Sequence, residues 1–189
     1  GSNNIPLFYR DGMFGTRSNG GKDAASPRYI FTKMDMLTHL IFREEDDVLL
    51  DYVIDDGDTI EPKFYVPIIP MILINGCSAG IGTGWSCNVP CYNPLDMTTA
   101  IRTWLESDGE IIIKDPEDDT IMISMLPEIK PWYRGFTGVI EKNGENRYIT
   151  RGVLETAGNK VTITELPIGL WTDKFKETIE EHVEKKEIK

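Results

Sequence analysis

Apolar residues fall at helical spacing in three stretches of the chain. Met34, Leu37, Leu40 and Ile41 recur at every third or fourth position, which predicts a helix over residues 32–42 with those side chains in a core. His39 on this helix reads as a half-buried surface histidine. Asn93-Pro94 supplies a cap and a first-turn proline for a second helix. Its apolar stripe is Met97, Ile101, Trp104 and Leu105, with Gly109 just beyond. A third helix is expected from Trp171, with Thr172 or Asp173 as cap and Phe175, Ile179 and Val183 as the buried face. Lys185, Lys186 and Lys189 suit its C-terminal dipole, and the chain is expected to be cut within or just after it. Between residues 138 and 166 apolar and polar positions alternate, with turns at Asn143-Gly144 and Gly158-Asn159, which predicts an antiparallel meander. Residues 64–75 form an apolar run broken by Pro67 and Pro70, the mark of an edge strand or a bulged segment. Residues 1–28, with glycines at 12, 15, 20 and 21 and an Asn19-Gly20 turn signal, read as loop. Residues 110–129 read as an acidic, irregular insertion with a short alternating piece near Ile121 and Ile123.

Composition changes the picture in a few places. With 189 residues, 40% of them hydrophobic, the chain can bury a core as one domain or two small ones. No apolar run approaches the roughly 18 residues of a membrane span, so no membrane partner is expected. The start, Gly1-Ser2-Asn3-Asn4, does not read as a signal peptide. Cys77, Cys87 and Cys91 are few, odd in number and free of a C-x-x-C pair, and neither His39 nor His182 stands near them. That fits a reducing compartment and argues against zinc. The net charge of −11 argues against nucleic acid only as an average. Residues 1–33 hold Arg10, Arg17, Lys22, Arg28 and Lys33 against Asp11 and Asp23. Attraction to phosphate decays over roughly 8–10 Å at physiological salt, so such a local excess decides contact. A merely solvated basic loop is the alternative. Residues 43–61 carry nine carboxylates against one arginine. Asp55-Asp56-Gly57-Asp58 lacks the alternating ligands and terminal glutamate of a calcium loop and reads as a solvated turn.

Two stretches carry candidate chemistry. In Gly20-Gly21-Lys22-Asp23-Ala24-Ala25-Ser26-Pro27-Arg28-Tyr29 the glycines allow backbone N–H groups to approach an anion. Arg28 is a planar fork suited to phosphate, and Tyr29 places a hydroxyl beside it. A phenol is a weak nucleophile at neutral pH unless activated, but this pair could attack a phosphodiester while the guanidinium holds the developing charge. The ordinary reading of Arg-Tyr after Pro is a surface-to-core step, with the ring packed and the arginine solvated. The second stretch is Asn75-Gly76-Cys77-Ser78-Ala79-Gly80-Ile81-Gly82-Thr83-Gly84. It fails the phosphate-loop pattern for want of Gly-Lys-Ser/Thr, and the dinucleotide pattern at its last glycine. A phosphate-handling enzyme built on it is therefore disfavoured. What remains is a glycine turn presenting Ile81, either packed in a hairpin core or exposed as a wedge between base steps.

Gly15-Thr16-Arg17, Gly20-Gly21-Lys22-Asp23 and Ser26-Pro27-Arg28-Tyr29-Ile30-Phe31-Thr32 closely resemble the active-site segment of the eukaryotic-type type IIA DNA topoisomerases. Pro67-Ile68-Ile69-Pro70-Met71, Gly80-Ile81-Gly82-Thr83-Gly84-Trp85-Ser86, Tyr133-Arg134-Gly135-Phe136, Ile163-Thr164-Glu165-Leu166-Pro167 and Trp171-Thr172 resemble the same family.

The resemblance implies an α+β fold. Residues 1–64 would be a partial winged-helix domain carrying the active-site tyrosine, entered partway through. Residues 65–189 would be the N-terminal part of a tower-like domain of mixed antiparallel β-sheet and helix. It implies Tyr29 as nucleophile forming a transient covalent phosphotyrosine, and Arg28 as its phosphate-steadying partner. It implies Arg17 and Lys22, with glycine N–H groups, as grips on neighbouring phosphates, and Ile81 as an intercalating residue. Double-stranded DNA is the implied partner, and the parent enzyme is expected to be a homodimer, nuclear or, for a virus, cytoplasmic. Magnesium and ATP would serve that parent from domains outside this chain, the fragment binding neither a metal nor a nucleotide and being inactive alone. The alternative is a non-catalytic DNA-binding or scaffold module with a structural Tyr29. Two departures are visible. Met13 stands where many members carry glutamine. Asn-Gly and Gly-Ile-Gly are separated by one residue more than usual, within Cys77-Ser78-Ala79.

Overall fold

The computed structural model describes residues 3–108, 111–114, 121–124, 127–145 and 147–188. In chain order the elements are β1 (Phe8–Asp11), β2 (Phe31–Met34), α1 (Met36–Ile41), β3 (Tyr52–Asp55), β4 (Asp58–Pro62), α2 (Met71–Asn75), β5 (Cys77–Gly82), β6 (Trp85–Val89), α3 (Pro94–Glu106), β7 (Ile111–Lys114), β8 (Ile121–Ser124), β9 (Val139–Lys142), β10 (Tyr148–Arg151), β11 (Val153–Ala157), β12 (Lys160–Glu165) and α4 (Thr172–Glu184). Among the described residues every sheet has two strands, pairing β1 with β2, β3 with β4, and so on in sequence. The fold is α+β.

Contacts divide the chain into two compact units, residues 1–4, 10–32 and 130–189, and residues 5–9 and 33–129. The boundary expected near Phe64 falls inside the second unit, so compactness does not mark it.

The second unit holds the apolar core. Ile41, Met71, Ile74 and Met97 are buried, with Leu7, Phe42, Leu73 and Ile101 packed against them. Met71 and Ile74 lie three apart on α2, so one face of a five-residue helix enters the core. Asn75 ties that helix down: its Oδ1 accepts from Ile5 N at 2.9 Å and its Nδ2 donates to Ile5 O at 2.8 Å. Asn93 caps α3 by accepting from Leu95 N, and Met97 and Ala100 give its buried stripe. Fully burying a methionine side chain such as Met97 contributes about 1.5–3 kcal/mol.

Several expectations are corrected here. The helix predicted over 32–42 is a strand followed by a six-residue helix, because Asp35 caps at Leu37 N and so starts the helix late. Of its four core positions only Ile41 is buried; Met34, Leu37 and Leu40 are exposed, as is His39. The 64–75 run is no strand: after Pro70, which lacks a donor N–H anyway, it turns into α2. The loop expected over residues 1–28 contains β1 and a 3-10 turn at Pro27–Tyr29. Part of the 110–129 insertion is a regular pair, with Ile111 opposite Ser124 and Lys114 opposite Ile121. Gly109, Glu110 and residues 115–120 and 125–126 of that stretch lie outside the described residues, as does Lys189. The 55–58 turn is as expected, with Asp56 and Gly57 at φ 49° and 90° as a two-residue hairpin turn requires.

The first unit is held mainly by hydrogen bonds and hairpins. The expected meander exists as two separate hairpins, β9–β10 and β11–β12, with β10 unpaired to β11 among the described residues. Buried Asn4 donates to Trp132 O at 3.1 Å and accepts from Arg134 N at 2.8 Å. In α4, neither Thr172 nor Asp173 caps; Trp171 occupies that position without a side-chain bond. Phe175 and Ile179 are only half-buried and Val183 is exposed.

Candidate nucleic-acid interface

The Gly-rich segment folds into a closed loop. Gly20 N donates to Arg17 O at 3.2 Å, Gly21 N to Thr16 O at 2.9 Å and Lys22 N to Asn19 O at 3.3 Å. Thr16 donates twice to Asp23, from its N to Oδ1 at 2.8 Å and from its Oγ1 to Oδ2 at 2.7 Å. Those bonds, the backbone one first, hold the Asp23 carboxyl below its usual range, since each favours the charged form. Glycine is needed at two points. A Cβ on Gly15 would lie 2.7 Å from Gly21 Cα, and one on Gly20 would come within 2.8 Å of Trp171 Cδ1 and closer still to Nε1 and Cε2. The Trp171 indole therefore lies directly on the loop backbone. Ser18 O also accepts from Asp173 N at 3.2 Å, joining the loop to the first turn of α4.

Arg17 and Lys22 are exposed on this loop. Arg17 stands 3.9 Å from Glu165, whose other oxygen accepts from Thr137 N at 3.2 Å and Oγ1 at 3.1 Å. At that distance and exposure the ion pair is weak and leaves Arg17 available to a phosphate. The expected role of the glycine amides is corrected: Gly20 N and Gly21 N are already donating inside the loop, so they form no anion cradle. Lys33, counted in the basic excess, sits 5.2 Å over the Tyr9 ring.

Pro27 opens the 3-10 turn, and Tyr29 N closes it on Ser26 O at 2.9 Å. Gly12, at φ 104°, lets the chain pass close beneath, since a Cβ there would lie 3.3 Å from Tyr29 O. Tyr29 is 68% exposed and Arg28 is exposed beside it, its Cζ 5.4 Å from the ring centroid. The surface-to-core reading of this pair is thus excluded: both side chains face solvent. The cation–π contact, worth about 0.5–1 kcal/mol at an exposed site, keeps guanidinium and phenol together.

In the second unit Ile81 stands one residue before the end of β5, opposite Ser86, while Gly82 faces Trp85. Thr83 and Gly84 make the turn, with Gly84 at φ 73°. Ile81 is 83% exposed, so it does not pack in a hairpin core. Among the described residues no group of three or more His, Cys, Asp or Glu side chains is placed to hold a metal ion, and no helix is long and apolar enough to cross a membrane.

Sequence patterns do not reveal two of the supports. Asp23 reads as a charge set against the basic patch but is the lock of the loop. Trp171 reads as the start of a helix and, with Thr172, as part of the family resemblance, but is the loop's floor. Both stand in segments that resemble the family, but neither segment signals this supporting role.

A family model described as the A-subunit of DNA gyrase/topoisomerase IV matches residues 1–189. The chain is 47% identical to DNA topoisomerase 2 of Invertebrate iridescent virus 6 over 100% of its own length and 16% of that protein. It is 44% identical to probable DNA topoisomerase 2 of Dictyostelium discoideum, over 96% of its length and 11% of that protein. It superposes on the crystal structure of the Plasmodium falciparum topoisomerase II DNA-binding, cleavage and re-ligation domain with a TM-score of 0.79 and 41% identity, covering 96% of this chain and 23% of that one. The chain thus spans only a small share of these relatives.

Proposed function

The chain belongs to the A-subunit family of DNA gyrase and topoisomerase IV, and from that premise we propose that it is a segment of the breakage–rejoining core of a type IIA DNA topoisomerase. The observation that carries this reading is an exposed phenol beside an exposed guanidinium on a rigid 3-10 turn, within residues matching the family from end to end. In the proposed reaction the Tyr29 oxygen attacks a backbone phosphorus of duplex DNA. A phosphotyrosine bond forms as the P–O bond to a sugar oxygen breaks, the phenolic proton ends on that departing oxygen as a hydroxyl, and reversal of the same displacement rejoins the strand. Arg28 stabilises the charge gathering on the phosphoryl oxygens. Arg17 and Lys22 hold neighbouring phosphates through their side chains. Ile81, on its own hairpin, wedges between base steps and favours a bent duplex.

The domain division at residue 64, homodimerisation of the parent enzyme and a nuclear or viral-cytoplasmic site belong to the same proposal. So do magnesium and ATP, held outside these residues; no step is assigned to either here. The 189-residue chain alone is expected not to relax supercoiled DNA. The test is Tyr29→Phe in the longer enzyme, read as covalent protein–DNA adducts trapped by denaturant. Adducts should vanish while DNA retention persists. Adducts surviving in the variant refute the nucleophile. A wild-type enzyme that binds DNA but never forms adducts favours the scaffold reading instead.

A further inference from the structure

β5 carries one residue more than the stretch of β6 it faces. Cys77 lies opposite Val89 and Gly80 opposite Cys87, so three steps on one strand match two on the other. The surplus forms a β-bulge. Side chains an odd number of positions apart normally point to opposite faces of a strand. The bulge cancels that alternation and puts Cys77 on the face shared by Gly80 and Cys87. A Cβ on Gly80 would lie 2.5 Å from the Cys87 Sγ and 3.1 Å from the Cys77 Sγ. Both sulfurs therefore turn into the space Gly80 leaves empty, no farther apart than those two distances laid end to end. Both thiols are free, Cys87 exposed and Cys77 half-buried. Cys91 differs: its Sγ donates to Asn75 O at 3.0 Å and burial pushes its thiol up, which keeps it protonated and inert.

We propose that Cys77 and Cys87 are a modification site, a dithiol that closes to a reversible intramolecular disulfide with hydrogen peroxide as oxidant. The Cys87 thiolate attacks one peroxide oxygen; the O–O bond breaks, hydroxide leaves, and Cys87 becomes a sulfenic acid. The Cys77 thiol then attacks the Cys87 sulfur; the S–O bond breaks and water leaves with the thiol proton. Two thiols are oxidised and one peroxide is reduced to two waters. An S–S bond of about 2.05 Å needs side-chain rotation and a small closing of the strands, which a bulge permits. The bond staples β5 to β6 one ladder position from Ile81. This chemistry does not depend on the DNA reading.

The test is oxidation of the reduced 189-residue chain with hydrogen peroxide, alkylation, and peptide mapping by mass spectrometry. A linked Cys77–Cys87 peptide pair should appear, lighter by two hydrogens, and revert with dithiothreitol. Cys77→Ser should accumulate Cys87 sulfenic acid, trapped by dimedone. Gly80→Ala, which puts a methyl group between the sulfurs, should slow bridging several-fold without slowing dimedone capture at Cys87. Bridges from Cys87 to Cys91 or to a second chain, Cys87 sulfinic acid with no bridge, or unchanged bridging in Gly80→Ala would overturn the assignment.

Discussion

Gly20→Ala tests whether the basic loop is held by Trp171 or only by its own turns. The substitution adds one methyl group at a residue with φ 60°. Placing an L-residue in that left-handed region costs roughly 1–2 kcal/mol. The methyl group also enters the space of the Trp171 indole, a rigid ring that cannot swing a flexible end aside. Overpacking of this kind costs about 1–3 kcal/mol. The sum is about 2–5 kcal/mol, and about 2–4 °C of melting temperature per kcal/mol is expected for a chain of this size. Gly21→Ala is the internal control. It shares the backbone demand, at φ 79°, but its Cβ meets nothing within 4 Å. It should therefore lose only the backbone contribution. Chemical denaturation of the two variants, with tryptophan emission as one probe and circular dichroism as the other, isolates the ring contact as their difference. The double variant Gly20→Ala, Trp171→Ala should recover part of the loss relative to the sum of the singles, because the two residues share one space. Equal destabilisation by Gly20→Ala and Gly21→Ala would refute the indole as the floor of the loop.

Asp23 makes loop closure pH-dependent in a defined direction. Its carboxyl is lowered from an ordinary value of 3.8, so its contribution is complete above that value and is lost as pH falls through the lower folded value. The Thr16 amide resonance should titrate below pH 3.8 and lose that titration in Asp23→Asn; a midpoint at or above 3.8 would contradict the lock. For Ile81→Ala, thermal stability should stay within about 0.5 kcal/mol, as for other exposed side chains, while DNA bending by the longer enzyme, read by energy transfer between duplex ends, weakens with adduct formation retained. An unchanged bend removes the wedge role. Lys22→Ala should lower the slope of log affinity against log salt by about 0.9, the loss of one phosphate contact; an unchanged slope means Lys22 does not touch DNA.

The readable parts of this fold were those fixed by neighbours in sequence. Asn93-Pro94 specified where α3 begins, and Asp56-Gly57 and Gly84 specified their turns, because a cap or a positive φ is a local demand. The unreadable parts depended on distant partners. Met34, Leu37 and Leu40 have the spacing of a core helix, but Asp35 caps in their midst, and the pattern splits between a strand and a short helix. The 64–75 run is apolar enough for a strand, yet Met71 and Ile74 reach the core from a helix whose far end is pinned by Ile5, some 70 residues away. The candidate residues Tyr29, Arg28, Arg17 and Lys22 in the first unit and Ile81 in the second could be named from their motifs, and all prove exposed. What anchors the loop under the basic pair could not, since Glu165, Trp171 and Asp173 join it from more than 140 residues downstream.

The surplus residue of β5 between Cys77 and Gly80 decides which face Ile81 takes. In a regular strand one inserted residue sends every following side chain to the opposite face. Ile81 would then exchange places with Gly82, and the tip would present a hydrogen atom where it now presents a sec-butyl group. Here the surplus is spent entirely between Cys77 and Gly80, before the ladder resumes with Gly80 opposite Cys87, Ile81 opposite Ser86 and Gly82 opposite Trp85. The bulge can sit there because Gly80 has no Cβ to collide with the two sulfurs crowding it. The glycines around Ile81 thus serve two separate ends. Gly84 makes the turn, and Gly80 accommodates the bulge that sets the face on which Ile81 stands. A bulky residue at position 80 would therefore disturb Ile81 through register rather than through the turn.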